Sequence, residues 1–355
     1  MGISRRVNGK SGDQLKRLKI GAASIRDVAQ AAGVSVATVS RVISKPDYPV
    51  AEATRQRVRD AAQQLGFTPN ALARGLARSR TDTIGIVVPG ITNPYNAVMV
   101  EAIDREAREN GLRTLLGLTS GDEDRREEVI EDLVSRRADG LIICASAADH
   151  RAGRTPAQLG VPAVLVGEQP NPGFPMVKTD NHRAGYQATE YLWSLGHRSF
   201  IYLTTRESWH DFHQRGEGMQ AFLSSRSERH VLEICDGLFG EVDAYRRISE
   251  ACSAGLSATA ILASTDRHAL GALAALTDAH LPVPAGVSVM GFDDYVTSGF
   301  IRPSLTTMQM PVAEMGRTAV ALLCDVLGGK PAEHETLFNA ELIERGSTAT
   351  VADAP

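Results

Sequence analysis

Between Ile25 and Ser44 the chain reads IRDVAQAAGVSVATVSRVIS. Six side chains in its second half, Ser35, Val36, Ala37, Thr38, Ser40 and Arg41, are of the types that can meet a nucleic-acid groove. The hydroxyls can bond phosphates or base edges, and the Arg41 guanidinium can fork onto a guanine. Val36 and Ala37 have no side-chain donor; they permit close approach and can touch a thymine methyl. Such a set works only on a rigid support. Ile25, Val28, Ala29 and Ala32 fall at helical spacing and give the first helix an inward face. Ser24 can cap that helix, with Asp27 three residues on. Gly33-Val34 supplies a tight turn and Ser35 caps the second helix, whose Val39 and Val42 point inward. Two short helices joined in this way can lay the second into a major groove.

The next stretch supports this reading. Lys45–Val50 is a loop broken by Pro46 and Pro49. A third helix is expected over Ala51–Leu65, with Val58, Ala61, Ala62 and Leu65 closing a small core. Arg55, Arg57 and Arg59 then face outward toward phosphates. In Thr68–Arg78 a threonine cap and a proline at the first helical position predict a short helix. At about two turns it cannot persist alone, so it forms when something receives Leu72 and Leu76. Residues 1–23 are polar and basic and read as a disordered leader.

A length of 355 residues implies two or three domains, and 43% hydrophobic content suffices for sizeable cores. The net charge of −4 conceals a division: residues 1–80 hold 15 Lys and Arg against five Asp and Glu, so the remainder is strongly acidic. A basic head on an acidic body suits a nucleic-acid reader attached to a second module. Cys144, Cys235, Cys252 and Cys324 include no C-x-x-C pair and read as buried thiols in a reducing compartment. No apolar run is long enough for a membrane span, and the first 23 residues lack the core of a signal peptide. A cytoplasmic location without a membrane partner follows as the expectation.

From Thr83 onward apolar runs alternate with helical patterns. TIGIVVP, RTLLGLT, GLIICAS, PAVLVG and MVKTD form one strand series, with helices over Asn96–Asn110 and Asp124–Arg137. SFIYLT, VLEICD, AILAST and VSVMGFDD form a second, with helices over Gly185–Leu195, Arg215–Ser225, Tyr245–Ala254 and His268–Ala279. Such alternation predicts parallel sheets covered on both faces, in two halves with a cleft between. Ligands of doubly wound sheets bind beyond the carboxyl ends of the strands. The loops there are rich in Asn, Asp, Arg, Tyr and Trp, which suits a small polar ligand.

IRDVAQAAGVSVATVSRV followed by LGFTPNALARGL resembles the DNA-binding head and hinge of the LacI/GalR family of bacterial transcription regulators. TIGIVVPGITNPY, VKTDNHRAGYQATEYLWSLGHR and VMGFDDYVTSGFIRPSLTTMQMPVAEMG resemble that family's effector-binding body. The resemblance runs from Ser24 to about Thr348. It implies a small all-α helix-turn-helix head on an α/β body like a periplasmic binding protein, built of two doubly wound parallel-sheet subdomains. The expected divisions are a leader (1–23), a head (24–67) and a hinge helix with linker (68–80). The N-subdomain is expected at 81–180 and 305–334, and the C-subdomain at 181–304 and 335–350. The resemblance implies that Leu76 wedges into the minor groove, with Asn70 and Ala73 on the same hinge segment against DNA. It places an effector against Tyr95, Asn96, Arg215 and Asp293, and against Trp209 and Asp211 in a loop of variable length. Gly167 stands where sugar-responsive members often carry aspartate, and Thr265 where asparagine is common; Glu168 and Asp266 are candidates to compensate. Ala51 stands where a serine commonly caps the third helix.

The implied function is a homodimeric, sequence-specific repressor whose affinity for operator DNA changes with a sugar or sugar acid in the cleft. Alternatives are a co-repressor-dependent regulator answering to a purine or nucleoside, and a solute-binding protein without DNA function. An enzyme is not expected, since G-x-S-x-G, Walker and G-x-G-x-x-G patterns are all missing. No cofactor or metal is implied. His210 and His213 with Asp211 lack a third ligand at fixed spacing, and Asp122–Asp124 with Glu127 and Glu128 opens a helix, where carboxylates suit the dipole.

Overall fold

A computed structural model describes residues 23–44, 48–67, 80–144, 156–167, 173–205 and 210–351 of the chain. The chain divides into two units, Met1–Thr81 and Asp82–Pro355.

Among the described residues the first unit is a three-helix head. Helix α1 spans Ile25–Ala32, α2 Val36–Ser44 and α3 Glu52–Gln64. Ser24 caps α1 by accepting the Asp27 amide, and the Asp27 carboxylate returns the bond to the Ser24 amide. Gly33 ends the helix at φ 64°, a left-handed conformation that glycine adopts without Cβ strain. Ser35 Oγ accepts the Thr38 amide at 3.1 Å and starts α2. Ala51 occupies the cap of α3 and offers it no side-chain bond, as its identity requires. The core is Val28, Ala29, Ala32, Val39, Val42, Val58 and Ala61, with Ala62 and Phe67 packed against it. Leu65, expected inside, is 41% exposed. The helix stops at Gln64, and Gly66 at φ 60° turns the chain so that Phe67 covers the core instead.

The second unit holds two six-stranded sheets. The first is built from β1 (Thr83–Val88), β2 (Arg113–Leu118), β3 (Gly140–Cys144), β4 (Ala163–Val166), β5 (Met176–Thr179) and β11 (Glu335–Phe338). Its order is β11-β5-β4-β3-β1-β2, all parallel. The second contains β6 (Ser199–Leu203), β7 (Val231–Cys235), β8 (Ala260–Ala263), β9 (Ser288–Asp293), β10 (Thr306–Gln309) and β12 (Glu341–Ile343). Its order is β12-β10-β9-β8-β6-β7, parallel except for the β10–β12 edge pair. The intervening helices are α4 (Pro94–Glu109), α5 (Glu123–Ser135), α6 (Pro156–Leu159), α7 (Asn181–Ser194), α8 (His210–Ser224), α9 (Glu241–Ser253), α10 (Asp266–Asp278) and α11 (Val312–Leu327). One buried apolar cluster runs from Ile84, Ile142 and Val177 through Ala184 and Met315 to Phe200, Leu262 and Phe292, so the halves share a core.

Two boundaries differ from the sequence expectation. Thr306–Gln309, assigned to the N-subdomain, pairs with β9 in the second sheet. Glu335–Phe338, assigned to the C-subdomain, pairs with β5 in the first. The chain therefore crosses after Gln309 and again after Phe338, because ladder bonding to distant strands, not local pattern, assigns an edge strand. Helices also start earlier than their apolar periods suggest: Asn93, Asp180 and Thr265 cap α4, α7 and α10, adding a polar first turn. The four cysteines are free thiols, with Cys144 and Cys235 buried.

Candidate functional site

On the head, the fold separates inward from outward residues of α2. Val39 and Val42 are buried, while Ser35, Val36, Ala37, Ser40 and Arg41 are exposed, Val36 at 42%. Thr38 is half-buried, its hydroxyl 2.9 Å from that of Ser35. Asn70, Ala73 and Leu76 lie outside the described residues. Arg41 carries a partner that the sequence reading missed. Its Nη1 donates to the Tyr48 hydroxyl at 2.9 Å, and its guanidinium carbon lies 5.4 Å from that ring's centroid. The Tyr48 carbonyl in turn accepts from Arg55 Nη2 at 2.9 Å. Arg55 also pairs with Glu52 at 3.2 Å and its side chain is mostly buried, so it braces the loop rather than facing outward as expected. Arg57 and Arg59 remain exposed. The signal for Tyr48, an aromatic among loop prolines, is too weak to assign from sequence.

In the body, Arg215 on α8 is 3% exposed. Its Nε donates to Asn181 Oδ1 at 2.8 Å and its Nη1 to the Ser264 carbonyl at 2.5 Å. Its guanidinium carbon is 5.0 Å from the Phe212 centroid and 4.8 Å from that of Phe292. Nη1 stands 3.7 Å from Asp293 Oδ1, an ion pair rather than a hydrogen bond. Asn181, at the start of α7, extends the network by donating to Asp211 Oδ1 at 2.9 Å and the Thr179 carbonyl at 3.2 Å. The fold thus joins Arg215, Asp211 and Asp293 into one chain of contacts. Asn181 was missed because helical periodicity does not reveal a polar residue in a first turn.

Asp293 ends β9 at φ 112°, followed by Asp294 at φ 58°. Consecutive non-glycine residues in this region store strain, which functional loops retain. The Asp293 carboxylate is only 7% exposed; burial pushes it up to about 7, against the downward pull of Arg215. Tyr295 donates its hydroxyl to Asp293 Oδ2 at 2.7 Å. Tyr95 and Asn96, on the first turn of α4, are half-buried, and the Tyr95 hydroxyl approaches Met315 Sδ at 3.9 Å. Burial raises the Tyr95 phenol above its ordinary value, so it stays protonated as a donor. Tyr95, Asp293 and Tyr295 border a cavity of about 840 Å³ that continues over Val98, Gln309 and Val312. Trp209 lies outside the described residues.

Of the two acids considered as compensating, only Asp266 lies among the described residues, and it is not available as a ligand contact. Glu168 lies outside the described residues. Asp266 is fully buried and accepts from the Tyr295 amide, Ser298 and Thr307. Those bonds occupy it as an internal brace, and burial pushes it up to about 6. Thr265, also buried, caps α10 through the His268 amide. His268 is pulled down to about 4 by burial and is neutral near pH 7. Its Nε2 accepts from the Gly240 amide at 3.3 Å, which places the proton on Nδ1, 3.2 Å from Ser264 Oγ. The segment whose carbonyl holds Arg215 is therefore fixed from behind. His213 pairs with Glu217 at 3.3 Å.

The arrangement offers carboxylate acceptors, phenol donors and aromatic faces, the chemistry that holds a polyhydroxylated molecule. One titration follows from it. The unfolded Asp293 ionises near 3.8 and the folded one near 7. Charging it while buried therefore costs stability as pH rises between these values, on the order of 1.4 kcal/mol per unit. Asp293→Asn removes that cost. Thermal midpoints across this window should rise in the variant relative to wild type; a constant difference would mean that Asp293 titrates normally.

Comparison with known proteins bears on both sites. Residues 24–70 match the family described as bacterial regulatory proteins, lacI family, and residues 189–348 match a periplasmic binding protein-like domain. The HTH-type transcriptional repressor PurR of Mannheimia succiniciproducens is 32% identical over 334 residues, 93% of this chain and all of the relative. A crystal structure of the lac repressor dimer bound to operator and the anti-inducer ONPF superposes with a TM-score of 0.85 at 26% identity, over 93% of this chain and 100% of that one. A LacI family regulator from Enterococcus faecium with bound ribose gives a TM-score of 0.70 at 27% identity, over 76% and 100% of the two chains.

Proposed function

The chain belongs to the lacI family of bacterial regulatory proteins, and from that membership we propose which of its residues read DNA and which answer to the effector. It is a DNA-binding transcriptional repressor controlled by a small molecule, not an enzyme. The alternative of a solute-binding protein without DNA function is not favoured, because head and body together align with repressors.

The observation that carries the DNA assignment is the exposed face of α2: Ser35, Val36, Ala37, Ser40 and Arg41 project from a helix whose other side is locked into the head core. Arg41 reads a base edge, the small residues set the approach, and the hydroxyls, with Thr38, contact backbone or nearby bases. Asn70, Ala73 and Leu76 belong to the hinge that bends the operator, with Leu76 as the wedge. The protein works as a homodimer on a near-palindromic site. Phe239, Val242, Val296 and Phe300 are exposed apolar side chains that suit such an interface. Among the described residues no helix is long and apolar enough to cross a membrane, and the site of action is cytoplasmic.

The effector is a sugar or sugar acid held by Asp211, Arg215 and Asp293, with Tyr95 and Asn96 beside it and Trp209 as a further contact. A ligand that prefers one arrangement of the two subdomains changes operator affinity by that preference. The test uses the full chain: an operator selected from random duplexes, followed by gel shifts with and without the sugars that raise the thermal midpoint, beginning with ribose. Arg41→Ala should cost about 1–3 kcal/mol and relax specificity at one base pair. Leu76→Ala should remove operator bending while salt-sensitive non-specific binding persists. Unchanged bending would discard the wedge, and unchanged base preference would discard Arg41 as reader.

A further inference from the structure

The loop that leaves β9 is pinned from behind. Asp266 accepts from the Tyr295 amide at 3.0 Å, the Ser298 hydroxyl at 2.5 Å and the Thr307 hydroxyl at 2.6 Å. Gly291 makes room for it: a Cβ there would stand 2.2 Å from Asp266 Oδ1. Held in this way, Tyr295 is buried, with its hydroxyl 2.7 Å from Asp293 Oδ2 and 2.9 Å from Asn93 Oδ1. Asp293 belongs to the second sheet. Asn93 belongs to the other half, where its side chain caps α4 by accepting the Tyr95 amide at 3.1 Å. A phenol has one proton to donate, so two acceptors in different subdomains compete for it.

We propose that Tyr295 is the positioning residue through which the state of Asp293 is conveyed to the first subdomain. While Asp293 is unengaged, its carboxylate is the stronger acceptor and holds the phenol proton. The link to Asn93 is then slack. An occupant that donates to Asp293 weakens it as an acceptor, and the phenol turns its hydrogen bond to Asn93. The bond to the α4 cap tightens, drawing together the first turn of α4 and the β9 loop. The same turn carries Tyr95 and Asn96, so cleft occupancy and subdomain closure become one event. The proposal rests on the reading of Asp293 as an effector contact, yet its test needs neither effector nor DNA. A failed effector screen and a failed latch are therefore distinguishable.

The experiment is amide hydrogen exchange on the full chain at pH 8, where Asp293 is charged. Asp293→Asn substitutes a weaker acceptor and stands in for the engaged carboxylate. It should slow exchange at Tyr95–Val98 by up to about tenfold, the worth of one net hydrogen bond. In the Y295F background the same substitution should leave those amides unchanged. Tyr295→Phe alone should leave exchange there near the wild-type rate and β1 unaltered, since the link to Asn93 is already slack while Asp293 is charged. Equal slowing in both backgrounds, or no change in any of the three variants, overturns the proposal. Thermal midpoints confirm that each variant is folded.

Discussion

Gly185→Ala is expected to destabilise the body by at least about 3 kcal/mol, the upper end of ordinary overpacking, by displacing the helix that carries Arg215. Helices α7 and α8 meet backbone to backbone. A Cβ on Gly185 would stand 1.9 Å from the Arg215 carbonyl oxygen, and one on Gly218 would stand 1.9 Å from that of His182. No flexible side chain lies between to give way, so the helices must part. Parting them moves Arg215 away from Asn181 and Ser264, which hold it at 2.8 and 2.5 Å. Gly218→Ala should behave alike. Gly216→Ala is the internal control: its Cβ would meet a Tyr202 ring carbon at 3.0 Å, a contact that a small ring movement relieves. Urea unfolding of the full chain measures all three. A loss below about 1 kcal/mol for Gly185→Ala would mean that the helices do not cross this closely.

The second large effect is expected at Arg215 itself. Arg215→Ala should abolish the effector response and cost about 3–5 kcal/mol at pH 8, the range for breaking a buried ion pair by removing one partner. It strips Asp293 of the cation at 3.7 Å, leaves Asn181 Oδ1 and the Ser264 carbonyl without this donor, and removes the cation beside the Phe212 and Phe292 rings. At pH 5 the cost should be smaller, because Asp293, already raised to about 7, is protonated and needs no cation. Arg215→Lys should rescue little. An ammonium cannot satisfy Asn181 and Ser264 together in the planar fork geometry. Unfolding at both pH values and ligand binding by thermal shift provide the readout. A loss equal at both pH values would remove Asp293 from the energetic account.

The amino-acid sequence by itself determined many of the features that depend on neighbours along the chain. Ser24 with Asp27, Gly33 and Ser35 set the ends of α1 and α2, and the positions of Val28, Val39 and Val42 chose which faces turn inward. The alternation of apolar runs with helical periods implies two mainly parallel sheets, and the family motifs single out Arg215 and Asp293. Tertiary structure decided what depends on residues far apart. The strand Thr306–Gln309 joined the second sheet and Glu335–Phe338 the first because their free backbone groups were satisfied there. Asp266, read as a cleft residue, became a brace because Thr307, 41 positions away, lies against it. Arg55, read as a phosphate contact, was turned aside by the Tyr48 carbonyl. Tyr295 gained its significance only when folding set its hydroxyl beside Asn93, 202 positions away. Caps, turns and faces follow from the local geometry of the backbone, whereas the fate of a buried polar group is settled by whichever distant partner the fold brings within 3 Å.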